Sequence, residues 1–304
     1  MLRLVIPILL LAPFPAQGQP RATLRAVEYL VREVPRWSKE NGCFSCHNNG
    51  DAARALYAAE QGGYRVPQSA LADTTRWLLA PADWDRDRAS PAFGDKKLAR
   101  IQFAGALAQA YDAGIVHNRA ALIAGAESLL RYQEADGSWQ VDAGSAVGSP
   151  VTYGTALSTY MAHRTLEIAG FTEPAARARQ WLLASKPHSI LDAAALLLAL
   201  PARRDCLDLI VAAQSSDGGW GPHSRAASES FDTAVVLLAL RKLGNPHAIK
   251  ADAIARGRAF LIASQQPDGG WPETTRPPGG QSYAQHISTS AWATLALLLT
   301  DPQE

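Results

Sequence analysis

Charge imbalance is almost absent from this 304-residue chain: 29 Lys and Arg stand against 28 Asp and Glu, a formal net charge of +1. Both signs are scattered along the sequence, so neither a nucleic-acid partner nor an anionic membrane surface is indicated. Cysteine is scarce as well. Three residues are too few for a disulfide framework, and two of them crowd into one short motif, so cross-linking is not their main use. Beyond the N-terminus no segment is apolar for the ~20 residues that a membrane-spanning helix needs. The N-terminal run from Leu4 to Ala12, behind Arg3, reaches about half that length, and Pro7 and Pro13 interrupt it. With Ala16-Gln17-Gly18 after it, the run reads as a signal peptide over residues 1–18, cleaved before Gln19. The expectation is an exported, most simply periplasmic protein without a stable membrane anchor. No cysteine follows the run, which argues against lipid attachment.

What the chain has is repetition. Residues 133–139 read Gln-Glu-Ala-Asp-Gly-Ser-Trp, residues 214–220 Gln-Ser-Ser-Asp-Gly-Gly-Trp, and residues 265–271 Gln-Gln-Pro-Asp-Gly-Gly-Trp. Each copy follows an amphipathic stretch and precedes an apolar one, so the unit is a helical hairpin. Asp-Gly suits the turn, because glycine takes positive φ without steric cost and Asp bonds nearby amides. Gln133, Gln214 and Gln265 are expected to bond free backbone groups at a helix end, with Trp139, Trp220 and Trp271 packed over that bond. These residues read as structure rather than chemistry. Weaker periodicity fills the remainder and gives six hairpins over about residues 22–66, 67–118, 119–173, 174–202, 203–247 and 248–304. Stacked hairpins bury their faces only against neighbours, and closure removes the two exposed ends. The expected fold is all-α, an (α/α)6 toroid filling residues 19–304 as one domain, with the more apolar second helices inside; an open superhelix is the alternative.

These residues also carry a resemblance. Arg256-Gly257, Phe260-Leu261, Gln265, Gly269 and Trp271 together resemble the full QW motif of squalene and oxidosqualene cyclases. The copy ending at Trp220 keeps Leu209-Ile210, Gln214 and Gly218 but has Asp205-Cys206 at the motif's start, and the copy ending at Trp139 is looser. The resemblance implies the toroid shared by terpenoid cyclases, prenyltransferase β subunits and complement-type thioester domains; it speaks to fold rather than activity. Cyclases of this family protonate an alkene from the middle Asp of an Asp-x-Asp-Asp-Thr-Ala motif. The similar segment here is Glu229-Ser-Phe231-Asp232-Thr-Ala, which puts Phe231 at the acid's position. Phenylalanine has no proton to give, so proton-initiated cyclisation is not expected and Asp232 reads as a helix cap or first-turn acid. Phe103, Tyr153, Tyr160, Phe231, Tyr283 and Trp292 could face an interior, although aromatics at helical spacing are more often core. Prenyltransferase-type zinc chemistry finds only His286, without the family's Asp-x-Cys pair. The Asp83, Asp85, Asp87 triplet lacks the glycine of a calcium loop. A thioester is excluded because Gly42-Cys43-Phe44-Ser45 has no Glu-Gln after it.

Cys43-Phe44-Ser45-Cys46-His47 is the c-type haem attachment pattern: two thiols add to the vinyls, and the imidazole becomes the proximal iron ligand. A metal-binding pair, a redox dithiol and a buried structural pair are the alternatives. Connectivity puts the motif on the rim that carries the Asp-Gly turns, together with His188, His223 and His286. Closure makes the sixth hairpin the neighbour of the first, so His286 is the expected distal ligand, ahead of Met161. Cys206 reads as a small buried apolar residue. The leading expectation is therefore an exported haem c redox or sensor protein, served by a redox partner or an apolar small molecule. The alternatives are an isoprenoid- or lipid-modifying enzyme of the same superfamily, and a carbohydrate-active or scaffold toroid.

Overall fold

The computed structural model describes residues 21–86, 96–142, 146–243, 248–274, 276 and 282–301. The expected signal segment, Asp87 and His247 lie outside them. Twelve α-helices follow one another among the described residues. They are α1 (Arg21–Asn41), α2 (Ala53–Gln61), α3 (Gln68–Leu78), α4 (Lys96–Asp112), α5 (Arg119–Leu130) and α6 (Gly154–Ala169). Then come α7 (Thr172–Ala184), α8 (Ile190–Ala199), α9 (Arg204–Ala213), α10 (Ser230–Arg241), α11 (Ala248–Ser264) and α12 (Tyr283–Leu299). A π-helical segment, Cys46–Ala52, runs straight into α2.

Each of the six expected hairpins is an odd helix followed by an even one. The odd helices bury a single stripe: in α1 it comprises Ala22, Thr23, Ala26, Val27, Leu30 and Val34, with neighbours mostly three or four residues apart. The even helices are buried nearly all round, as in α8 and α10, and can only sit inside. Each even helix packs on the next, and α12 returns to pack on the π-helical segment and on α2. The ring is closed, so the open superhelix does not occur.

The repeated turns explain how neighbouring hairpins lock. The indole N–H of Trp139 donates to the Leu129 carbonyl at 3.0 Å, that of Trp220 to Ile210 at 2.8 Å, and that of Trp271 to Leu261 at 2.7 Å. Each thus bonds a carbonyl near the end of its own outer helix, which at Leu129 also accepts from the Tyr132 amide and at Leu261 from the Ser264 hydroxyl. The Trp backbone amides donate to Thr159, Thr233 and Ser290 on the following inner helix. Gln133, Gln214 and Gln265 reach further, each to its own turn and to the next outer helix: Pro174, Ala253 and, across the closure, Ala22. The capping role expected of Gln therefore belongs to Trp, and Gln ties one hairpin to the next. Gly269 stands at φ +101°, and a Cβ there would run into the Arg25 carbonyl, so glycine is required where the ring closes. Replacing Trp271 with Phe keeps a ring but removes the shorter of the two hydrogen bonds to the Leu261 carbonyl, leaving the Ser264 hydroxyl at 3.3 Å. A loss of about 1–3 kcal/mol in unfolding free energy is expected by denaturant titration, and an unchanged midpoint would remove the cap from the account.

Candidate functional site

The polar residues that this apolar ring tolerates converge at its centre. The π-helical segment starts behind Ser45, whose hydroxyl accepts from the His47 amide at 3.2 Å. Its wider turn carries Asn48, Asn49 and Asp51 into the interior, where all three are buried. Gly50 lets α4 come close: a Cβ would lie 2.8 Å from the Cβ of Gln102. That approach brings the Gln102 amide within 2.8 Å of Asp51 Oδ2. Ser288, in the second turn of α12, donates to the same oxygen at 2.8 Å. The Tyr153 hydroxyl makes a very short hydrogen bond with Asp51 Oδ1. Tyr153 stands at the N-cap of α6 with φ +63°, a conformation that costs a non-glycine residue energy and here aims its phenol at the carboxyl.

Asp51 is 1 % exposed, and burial pushes its pKa upward against the opposing pull of Arg54, Tyr153, Ser288 and Gln102. Burial likewise holds the Tyr153 phenol far above its ordinary value, so it stays a neutral donor. His47 Nδ1 lies 2.9 Å from Ser288 Oγ, which links it to Asp51 through one hydroxyl. The surrounding protein pushes His47 down to about 4, although part of the residue still meets the rim, and its ring is neutral at pH 7. The unfolded chain therefore takes up a proton below about 6.5 that the folded His47 refuses until about 4. Stability is expected to fall as pH drops through that window, and His47→Gln should flatten that limb in thermal melts; an identical limb would contradict it.

Above Asp51 the ring opens into a pocket of about 480 Å³ with walls from all six inner helices, including Arg54, Gln109, Tyr160, Leu198, Leu238 and Leu295. Arg241, the α10 cap Lys242 and Leu299 place its mouth at the rim where the inner helices end, opposite the Asp-Gly turns. Its floor is Trp292 with the Arg54 guanidinium 4.1 Å over the ring centroid. Tyr153 and Phe231 meet Trp292 edge-on at 5.6 and 5.8 Å.

The residues singled out from the sequence fall in several places. Cys43 Sγ accepts from Trp37 Nε1 at 3.4 Å, and Phe44 stacks on Trp77 at 4.6 Å. Cys46 opens the π-helical segment. His286 packs edge-on to Tyr29 at 5.8 Å, with Nδ1 3.7 Å from Glu273. Cys206 is buried, as expected. Met161 lines the pocket and accepts from Arg54 at 3.0 Å. Asp232 is a first-turn acid, as expected: it is fully buried and held by Arg276, Nη1 to Oδ2 at 2.8 Å and Nη2 to Oδ1 at 3.3 Å. Glu229 joins the same guanidinium at 2.9 Å. Among the described residues no three His, Cys, Asp or Glu side chains gather to hold a metal ion, and no helix is long and apolar enough to cross a membrane. Sequence reasoning passed over Asp51, Gln102, Ser288 and Arg54. The available signal was the polar run Asn48-Asn49-Gly50-Asp51 leading into an inner helix.

Residues 199–304, which comprise α9 to α12, match the squalene-hopene cyclase C-terminal domain family. Over 70 residues the chain is 37% identical to a drimenyl diphosphate synthase of Streptantibioticus cattleyicolor, a match covering 23% of this chain and 12% of that enzyme. A second drimenyl diphosphate synthase, from Streptomyces showdoensis, is 36% identical over 62 residues, 20% of this chain and 11% of its own length. The aligned stretch is thus about an eighth of these relatives. Among solved structures, the type II terpene cyclase MstE from Scytonema superposes with a TM-score of 0.58 at 14% identity, covering 92% of this chain and 98% of that one. The ent-copalyl diphosphate synthase from Streptomyces platensis gives 0.54 at 20% identity, over 82% of this chain and 50% of that one.

The ring is a terpene-cyclase-type toroid. These likenesses overturn the expectation of a haem c redox or sensor function. They favour the isoprenoid alternative instead; His47 Nδ1 is joined to Asp51 through Ser288, and Phe44 and Cys43 pack on tryptophans.

Proposed function

We propose that this toroid is an isoprenoid-converting enzyme of the cyclase type, in which Asp51 supplies the proton that starts ring closure. The observation that carries the reading is a carboxyl whose pKa burial pushes upward, with three neutral donors, Gln102, Tyr153 and Ser288, converging on its oxygens. Burial favours the protonated form of Asp51 at rest. When the proton leaves, Tyr153, Ser288 and Gln102 already point at the carboxylate that remains, which lowers the barrier to giving it up. The O–H bond of Asp51 breaks as a C–H bond forms at the terminal alkene carbon. The π pair is consumed, and the tertiary cation left behind is attacked by the next double bond. Trp292 and Tyr160, which line the pocket, supply the aromatic faces that favour such cations, and Phe231 and Tyr153 support Trp292 edge-on. Ser288 and His47 then form a route from the rim by which the acid is reloaded.

The names of the similar proteins agree with this chemistry: two are drimenyl diphosphate synthases, and MstE was solved in two variants with geranylgeranyl dihydroxybenzoate as substrate. Incubation of the purified protein with squalene, geranylgeraniol and farnesyl diphosphate, followed by extraction and gas chromatography with mass detection, tests the reading. A cyclic product from at least one of them is expected. Recovery of all three unchanged would end it.

A further inference from the structure

Four cations line the pocket, and three of them are already accounted for. Arg164 reaches Asp112 at 3.2 Å, Arg241 Nε caps the Leu299 carbonyl at 3.0 Å, and Lys242 lies 5.5 Å over the Tyr160 ring. Arg54 differs. It is 5 % exposed, and its Nε and Nη2 atoms have no hydrogen-bond partner. Its one acceptor is the thioether of Met161 at 3.0 Å, a weak one, and Asp51 stands 3.9 Å away, beyond hydrogen-bond reach. A buried guanidinium with idle donors is costly and is ordinarily paired. The missing partner is a strong anionic acceptor, and the open space beside Arg54 is the pocket.

We infer that the isoprenoid carries an anionic group, a phosphate, diphosphate or carboxylate, and that Arg54 binds this group inside the ring. The inference rests on the isoprenoid reading of the pocket and deepens it. The anionic group lies toward the basic mouth and the apolar chain points inward, past Leu238 and Leu295 toward Trp292. Arg54 then has a second task. Its guanidinium covers the face of Trp292 and stands between the pocket and Asp51, where it occupies the place a carbocation needs. Met161, its present partner, is three residues before Arg164 on α6, about 4.5 Å nearer the centre of the ring. A shift of that size is within the compass of an arginine side chain. It trades the thioether for the ligand's oxygens and clears the path from the chain to the acid. It also moves away the positive charge that pulls the Asp51 pKa down.

Calorimetric titration with farnesyl diphosphate, with farnesol as the neutral chain and with inorganic pyrophosphate as the bare head tests this directly. Wild-type protein is expected to bind the diphosphate at least about tenfold more tightly than the alcohol. Arg54→Met keeps the length and apolar bulk of the stem and should erase that preference, Arg54→Lys should keep part of it, and Lys242→Gln should lower it by about twofold. Thermal melts establish that each variant is folded. Equal affinity for alcohol and diphosphate, or a preference that survives Arg54→Met, overturns the inference while leaving the isoprenoid reading intact. Pyrophosphate binding that depends on Arg54 supports the anion site even if no product ever forms.

Discussion

Asp51→Asn should lower turnover of the isoprenoid substrate by about ten-thousandfold, the upper end of what a positioned acid contributes, and leave the fold in place. The substitution is nearly isosteric, and the surroundings accept it. The amide oxygen can take the hydrogen bonds now given by Gln102 and Ser288, and the amide N–H can donate to the Tyr153 hydroxyl. Stability should not fall, because the folded protein disfavours the ionised form of Asp51. A carboxyl whose folded pKa is raised contributes stability below its unfolded value and loses it as pH rises, and asparagine carries no such penalty at neutral pH. Rate and stability therefore separate: product formation measured against an unfolding curve should show the first collapse and the second hold. Wild-type turnover in a folded Asp51→Asn protein would remove Asp51 from the chemistry.

Arg276→Met should do the reverse. Asp232 is as deeply buried as Asp51, but its partners are two nitrogens of one guanidinium, which Glu229 shares and which also donates to the Gly148 carbonyl at 2.8 Å. Removing that cation leaves an unpaired carboxylate in the core and should cost about 3–5 kcal/mol of unfolding free energy. The double variant Arg276→Met, Asp232→Asn should recover most of the loss, because it removes the stranded charge along with its partner. Denaturant titrations of the three proteins decide it. Equal stability of Arg276→Met and the parent would mean that the pair does not hold the ring. The two buried aspartates thus differ in their partners: burial pushes the pKa of both upward, but one is surrounded by neutral donors and the other is held by a guanidinium.

That contrast also shows where reading the sequence succeeds. The ring was legible because Trp139, Trp220 and Trp271 recur with the same turn before them, and because uniformly apolar α8, α10 and α12 alternate with helices that bury one stripe. Closure was legible from the count of hairpins, and the bond from Gln265 to Ala22 completes it. The site was not legible for a geometric reason. Its residues come from four helical segments, at positions 51, 54, 102, 153 and 288, and only packing brings them together. The family's acid sits where Phe231 stands here, which drew attention to α10, and the Cys43–His47 pattern drew it to haem chemistry one turn before Asp51. A π-helical turn has no propensity signature of its own, so the register that carries Asp51 inward could not be read from periodicity.

The most direct test of the central claim is turnover in deuterium oxide. If Asp51 starts cyclisation by giving up its own exchangeable proton, each product molecule acquires one deuterium at the carbon that was the chain's terminal alkene, and mass spectra of the extracted product should move up by about one mass unit. Product from wild-type protein that carries no solvent deuterium, or labelled product formed equally well by Asp51→Asn, would contradict it.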